Sequence, residues 1–141
     1  MELACLQESH RMKTGDNVQV TDRSTNDSYN GNIYNVVILP LNELKQQHIL
    51  VPYFYVQFSD TTIYSKLLKR GSKIIYNNNP CVVGNIIYEP CTDIIKRIYI
   101  QYPMTNSEAE IQFDQINAML IWRVAYEITF MSGYSIINSR L

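Results

Sequence analysis

The sequence is poor in the residues that build most catalytic and metal sites. Its 141 residues include two histidines, three cysteines and five glycines. Neither His10 nor His48 has a Cys, Asp or Glu at a metal-ligand spacing, and the five isolated glycines form no phosphate-binding loop. A G-x-S-x-G nucleophile motif is missing too. The sequence therefore argues against an enzyme, and we expect no catalytic residue, no metal and no cofactor.

Cysteine usage also excludes a disulfide scaffold. The three cysteines are Cys5, Cys81 and Cys91. An odd number without a C-x-x-C pair is typical of free thiols in a reducing compartment rather than of a stapled fold or a zinc site. Cys81 and Cys91 could still pair if they lay on adjacent strands.

Long apolar runs and an excess of charge of one sign are absent as well. No run approaches the roughly 20 apolar residues that span a bilayer. The net charge is −1 and only 18% of residues are charged, so nothing global indicates nucleic-acid or membrane-surface binding. The N-terminus carries Glu2 and Glu8 and lacks the basic and apolar regions of a secretory signal. We therefore expect a protein without a membrane span.

What is present is a series of strand signals. The length predicts a single domain, residues 1–141. Residues 1–32 predict a short helix (2–12), a strand (17–21) and a mobile loop (22–32) without aliphatic side chains. Residues 33–102 predict a β-rich body. Its expected strands are 33–39, ending at Pro40, then 53–58, 73–76, 81–88 with a bulge at Gly84, and 94–101. Residues 61–68 predict a further strand or hairpin return, and residues 41–47 a helical turn.

Residues 107–132 predict one long amphipathic helix. Apolar residues recur there at steps of three and four: Phe113, Ile116, Leu120, Val124, Ile128 and Met131. Ser107 and Glu110 fit a capping box, and Gly133 fits a C-terminal cap. Strands followed by a helix predict an α+β fold class, with a small antiparallel or mixed sheet followed by one long C-terminal amphipathic helix.

A second apolar stripe on this helix suggests an interface. Trp122, Tyr126 and Phe130 step by four, and Trp and Tyr are enriched at interaction hot spots. We take these three residues as a candidate oligomer interface. The alternative is that the helix is simply buried within the monomer.

A basic cluster supplies the main alternative function. Lys66, Lys69, Arg70 and Lys73 are candidates for contact with DNA or an acidic partner. Tyrosines on the strands could stack on bases in a single-strand binder: Tyr53, Tyr55, Tyr64 and Tyr76. The alternative readings are a solvated hairpin loop whose charges discourage edge aggregation, and aromatics buried in the core.

The C-terminal part of the chain resembles the head-to-tail adaptor proteins of short-tailed phages, the tail tubular protein A family. The matching pieces are Leu39-Pro40, the β-region through Tyr88, residues 98–102, and the helical pattern from Phe113 to Ile128, in which Ala118, Ala125, Arg123 and Glu127 have the expected spacing. The match covers roughly residues 33–131 and rests on an arrangement rather than on a signature motif.

The resemblance implies a structural virion protein without catalytic residues. It would be made in the host cytoplasm and form a homo-oligomeric ring at the head-tail junction. The ring would dock on the portal, seat the tail proteins and form part of the conduit for DNA, which would pass without sequence specificity. The loop would then be a docking arm that orders on binding, with Asp22, Arg23, Asp27 and Tyr29 as candidate contacts.

Three functions thus remain open. The first is the portal-to-tail adaptor, and the second is a small nucleic-acid-binding module that uses the basic hairpin and the strand tyrosines. The third is an enzyme subunit whose site is completed by a partner.

Overall fold

The structure, a computed structural model, describes residues 13–41, 45–101 and 107–130. Within these ranges the chain forms nine β-strands, one short α-helix and one turn of 3-10 helix. The strands are β1 (Asn17–Asp22), β2 (Ser28–Leu41), β3 (Gln46–Gln57), β4 (Lys73–Tyr76), β5 (Asn79–Tyr88), β6 (Ile95–Gln101), β7 (Glu108–Glu110), β8 (Ile116–Ile121) and β9 (Tyr126–Phe130). The α-helix is Thr62–Leu67 and the 3-10 helix is Phe113–Gln115. The α+β prediction is therefore wrong, because the described residues are mostly antiparallel β-structure.

The chain divides into two compact units. Unit 1 comprises Met1–Gln57 and Leu120–Leu141, and unit 2 comprises Phe58–Met119. In unit 1 the strands are ordered β3-β2-β1-β9, and in unit 2 they are ordered β7-β6-β5-β4-β8. Within each unit the neighbouring strands pair in the antiparallel sense.

The long C-terminal helix does not exist in the described residues. Glu108–Glu110, where the capping box was expected, is strand β7 and pairs with β6. The chain then forms the 3-10 helix and strand β8, reverses over residues 122–125, and returns as β9. The amide of Tyr126 donates to the carbonyl of Trp122 at 3.0 Å and closes this reversal. Met131 and Gly133, which were expected at the helix end, lie outside the described residues.

The apolar spacing explains the error. Ile116, Leu120, Val124 and Ile128 are each four residues apart, and a step of four returns to the same face in both a helix and a strand. Composition decides between the two. Eight of the fifteen residues 116–130 are β-branched or aromatic, and these residue types favour strands. Burial alternates along β9 with period two, since Tyr126, Ile128 and Phe130 are buried and the residues between them are half-buried.

The loop predicted at 22–32 is a tight turn between two strands. Asp22 donates its amide to the carbonyl of Asp27 at 2.9 Å, and its side-chain Oδ1 accepts from the amide and hydroxyl of Ser24. Asn26 takes a positive φ of 64°, which asparagine tolerates better than most residues. Polar residues here build a turn, and β2 already begins at Ser28.

The segment predicted as a strand at 61–68 is the α-helix Thr62–Leu67. Asp60 initiates it, since its Oδ1 accepts from the amide and hydroxyl of Thr62 at 3.1 and 2.7 Å. These hydrogen bonds lower the pKa of the Asp60 carboxyl. The helix belongs to unit 2 and buries one of its faces there, with the side chains of Ile63, Tyr64 and Leu67.

The other strand predictions are confirmed, although most of their boundaries shift by one or more residues. β2 continues through Pro40 to Leu41, with a register irregularity at that point, and β3 begins at Gln46 rather than at Tyr53. The register of β5 is irregular between Val83 and Ile86, where the bulge at Gly84 was expected. The helix predicted at 2–12 lies outside the described residues, as do residues 42–44 of the helical turn predicted at 41–47. Leu41, Gln46 and Gln47 belong to β2 and β3 and not to a helical turn.

Each unit has its own apolar core. In unit 1 the rings of Phe54 and Phe130 pack edge to face with centroids 5.7 Å apart. In unit 2 the rings of Phe58 and Tyr64 do the same at 5.5 Å, and the Tyr64 hydroxyl accepts the amide of Phe58 at 3.0 Å. These aromatic pairs join β3 to β9 in unit 1 and Phe58 to the α-helix in unit 2.

Candidate functional site

The three residues of the predicted interface stripe occupy different positions. Tyr126 and Phe130 are buried in unit 1, facing its core on β9. Trp122 is half-buried in the β8–β9 turn, where its ring packs edge to face on Tyr53 with centroids 5.5 Å apart. Of the three, only Trp122 offers appreciable surface to a partner in the folded chain.

The structure brings the predicted docking residues next to this stripe. Asp22 on β1 lies opposite Tyr126 on β9 in the strand register. Arg23 reaches across from the β1–β2 turn, donating from Nε to the carbonyl of Arg123 at 3.1 Å and forming an ion pair with Glu127 at 3.3 Å. The two sets, more than 90 residues apart in sequence, thus form one cluster, which we call the β1–β9 cluster.

Electrostatics in the β1–β9 cluster keep its phenols neutral. Burial, followed by the nearby charge of Asp22 and by Tyr29, raises the pKa of Tyr126 to about 12. Burial and the carboxylates of Asp27 and Asp22 also raise the pKa of Tyr29. Tyrosines with raised pKa values serve as neutral hydrogen-bonding or packing groups, and they are not activated for proton transfer near neutral pH.

Arg123 is a charged side chain buried in unit 1. Its side chain is 5% exposed, donates from Nη2 to the carbonyl of Pro52, and places its guanidinium 5.2 Å from the centre of the Tyr53 ring. Because Pro52 and Tyr53 belong to β3, one side chain of the β8–β9 turn holds the β2–β3 hairpin in place. The helical pattern put Arg123 on the polar face, so sequence reasoning missed this position. The run of apolar residues on both sides of it was the available signal.

The distal end of the β2–β3 hairpin exposes apolar side chains. Ile38 is 53% exposed and Leu50 is 60% exposed. Pro40 lies opposite Leu50 and two residues beyond Ile38, so the three share one face of the hairpin. We call Ile38, Pro40 and Leu50 the distal patch. The sequence predicted a buried strand at 33–39 and missed this exposure, since an apolar run does not reveal that a hairpin end has little packed against it.

The four basic candidates are all exposed, but they do not form a hairpin. Lys66 lies in the helix Thr62–Leu67, Lys69 and Arg70 follow it, and Lys73 begins β4. Lys66 and Lys69 line a groove of about 280 Å³ in unit 2. The other residues that line this groove are Ser65, Leu68, Tyr88, Thr92, Asp93 and Ile95. The groove therefore collects part of the predicted basic set together with the end of the β5–β6 hairpin.

The four strand tyrosines proposed for base stacking are core residues. Their relative exposures are 9% or less at Tyr53, Tyr55, Tyr64 and Tyr76. Tyr76 also uses its hydroxyl inside unit 2, donating to Oε1 of Gln115 at 3.0 Å and accepting the amide of Gln112. The one tyrosine found at the groove is Tyr88, which sequence reasoning did not single out.

The chemistry of the described residues offers few other sites. They include no group of three His, Cys, Asp or Glu side chains that could hold a metal. Cys81 is buried and Cys91 is exposed, and both are free thiols, so the pairing left open above is not formed. His48 is exposed on β3, while His10 and Cys5 lie outside the described residues. Among the residues with described structure, no helix has the length and hydropathy needed to cross a membrane.

Comparison with known proteins adds no family. Family models, curated proteins and solved structures all give no match to this chain. The geometry of the distal patch and of the groove is therefore the basis for inferring a function.

Proposed function

We propose that this protein is a non-catalytic assembly subunit that binds a second copy of itself through the distal patch. The observation that carries the proposal is the exposure of Ile38 and Leu50 on one face at the end of a hairpin whose strands are 14 and 12 residues long. Covering one such side chain contributes about 1.5–3 kcal/mol, so apolar side chains grouped at a hairpin end favour association.

The β2–β3 hairpin is suited to binding as a rigid element. Arg123 contacts Pro52 and Tyr53 on β3, and Phe54 packs on Phe130. A hairpin that is already ordered loses less conformational entropy on association than a loop does. The β1–β2 turn, which the resemblance makes a docking arm, is likewise already ordered by Asp22.

A second copy of the chain is the partner that fits best. With a net charge of −1, two copies repel each other little. Pro40 at the centre of the patch has no backbone N–H. A partner that covers the patch therefore has one hydrogen-bond donor fewer to satisfy.

The setting that we propose for the assembly is the portal-to-tail adaptor ring of a short-tailed phage, with the portal and tail proteins as further partners. The strand pieces of the resemblance support it, because Leu39-Pro40 lies in β2 and residues 98–101 lie in β6. The helical piece gives no support, since residues 116–130 form β8, a turn and β9.

Light scattering coupled to size-exclusion chromatography tests the proposal. The wild-type chain, with a monomer mass of 16.4 kDa, is expected to elute as an oligomer at high concentration. Ile38→Ser with Leu50→Ser is expected to elute as a monomer at the same concentration, because the covered apolar surface is lost.

Ile94→Ser is the matched control. Ile94 is 64% exposed in the β5–β6 loop and belongs to unit 2, whereas the distal patch belongs to unit 1. It should leave the oligomer mass unchanged. A monomeric wild-type chain at every concentration, or an equal effect of both variants, would contradict the proposal.

A further inference from the structure

The groove of unit 2 places cations beside a half-exposed aromatic ring. Lys66 and Lys69 come from the helix and the turn after it, and Tyr88 comes from the end of β5. Lysines next to an accessible aromatic ring are the combination that binds single-stranded nucleic acids, because the ammonium groups meet phosphates while the ring stacks on a base.

The hairpin holds Tyr88 in a defined position. Tyr88 pairs with Ile95 in the strand register, and its side chain is 48% exposed. The loop beyond it is closed by its own hydrogen bonds, from the amide of Glu89 to the carbonyl of Ile94 at 2.8 Å and from the hydroxyl of Thr92 to the carbonyl of Glu89 at 2.9 Å. A ring on an ordered hairpin can stack without first paying the entropy of ordering a loop.

The lysines are presented from an equally ordered backbone. The amide of Lys69 donates to the hydroxyl of Ser72 at 2.9 Å, and the amide of Ser72 donates back to the carbonyl of Lys69 at 3.0 Å. Gly71 supplies the positive φ of 91° that this turn requires. The two lysine side chains themselves remain exposed.

Charge at the groove favours an anion. Residues 66–73 contain four cations and no carboxylate. Among the residues that line the groove, Asp93 is the carboxylate that opposes Lys66 and Lys69. The lining therefore keeps a net positive charge, which its two lysines provide.

We propose that this groove binds a short stretch of single-stranded nucleic acid, with Tyr88 stacking on one base and Lys66 and Lys69 contacting its phosphates. Its volume, about 280 Å³, is near the lower end of small-molecule sites and suits one base rather than a duplex. An acidic peptide would use the lysines but would gain nothing specific from the ring. The groove and the distal patch consist of different residues, so the two proposals can fail independently.

Fluorescence anisotropy with a labelled oligo-dT of about 12 nucleotides tests the inference. The wild-type chain is expected to bind, and Tyr88→Leu to bind at least about fivefold more weakly because stacking is lost. Tyr88→Phe keeps the ring and is expected to stay within about twofold of the wild type. Lys66→Gln with Lys69→Gln should weaken binding. Because two phosphate contacts are lost, the fall in affinity between roughly 50 and 200 mM salt should be about sevenfold smaller than for the wild type.

Lys13→Gln with Lys45→Gln is the matched control, since both residues are exposed, belong to unit 1 and give the same change of charge. It should bind within about twofold of the wild type. Each variant is compared by its thermal melt, so that a loss of fold is not read as a loss of binding. Absence of binding at about 50 mM salt would overturn the inference. So would equal binding by Tyr88→Leu and Tyr88→Phe, or equal binding of a polyglutamate peptide of the same length.

Discussion

Arg123 joins the β8–β9 turn to β3 through a single buried side chain. Its guanidinium donates to the carbonyl of Pro52 and lies over the ring of Tyr53. A hydrogen bond from a charged donor contributes about 1.5–3 kcal/mol, and a cation over an aromatic face about 0.5–2 kcal/mol. Because Pro52 lies opposite Ile38 in the strand register, these contacts fix the hairpin beside the distal patch.

Arg123→Met is expected to lower the free energy of unfolding by about 2–4 kcal/mol, because the carbonyl of Pro52 loses a buried donor. Urea denaturation followed by circular dichroism measures this. Glu127→Gln is the control, since its ion pair with Arg23 is about one third exposed on both sides and should contribute less than about 1 kcal/mol. Equal losses in the two variants would show that Arg123 has no special structural role.

Tyr126 gives the protein a pH dependence in the alkaline range. Folding raises its pKa from 10.0 to about 12, so the folded state favours the neutral phenol. The corresponding stability is fully present below pH 10 and is lost as the pH rises toward 12. After allowance for solvent screening, we expect a loss of about 1–2 kcal/mol.

Tyr126→Phe isolates this contribution, because phenylalanine keeps the ring and cannot ionise. Between pH 9 and pH 11.5, values on either side of the unperturbed tyrosine pKa near 10, the wild type should lose more stability than the variant. Urea denaturation at both pH values measures the difference. Parallel losses would mean that Tyr126 ionises in the folded protein as it does in the unfolded chain.

Strands β8 and β9 illustrate what local pattern can and cannot decide. Apolar residues four apart suit both a helix and a strand, and the choice was settled by pairing with distant partners, β9 with β1 and β8 with β4. These partner strands lie about 40 to 110 residues away in the sequence, so the pattern within one short segment does not reveal the pairing. Strands β1, β4, β5 and β6 could be predicted because alternation and β-branched runs mark them locally.

Only some residues of the candidate surfaces could be predicted from the sequence. Lys66 and Lys69 could be found from the sequence, because clustered cations are exposed in almost any fold. Tyr88 and the distal patch could not, since their exposure depends on where the β5–β6 and β2–β3 hairpins end relative to their neighbours. The stacking role given to Tyr53 and Tyr55 failed for the opposite reason, because strand aromatics most often fill the core.

Nuclear Overhauser effects test the β8–β9 assignment directly. We expect cross-strand contacts between the backbones of Val20 and Ile128 and of Val18 and Phe130, as the antiparallel register requires. A helix over residues 107–132 would instead give contacts between each residue and those three and four positions further on. Observation of that helical series would overturn the architecture of unit 1.

The two proposed activities of the whole chain respond to salt in different ways. Association through Ile38 and Leu50 buries apolar surface and should persist, or strengthen, as salt is added. Oligonucleotide binding at Lys66 and Lys69 should weaken, because counterions compete for the phosphates. A nearly neutral chain can support both, since each depends on a local surface rather than on net charge.

Hydrogen–deuterium exchange of the wild-type chain, measured at low and at high protein concentration, locates the surface that self-association covers. We predict that peptides covering residues 36–41 and 48–52 become protected as the concentration rises, while peptides from the β5–β6 loop around Ile94 do not change. Protection that appears elsewhere, or nowhere, would contradict assembly through the distal patch.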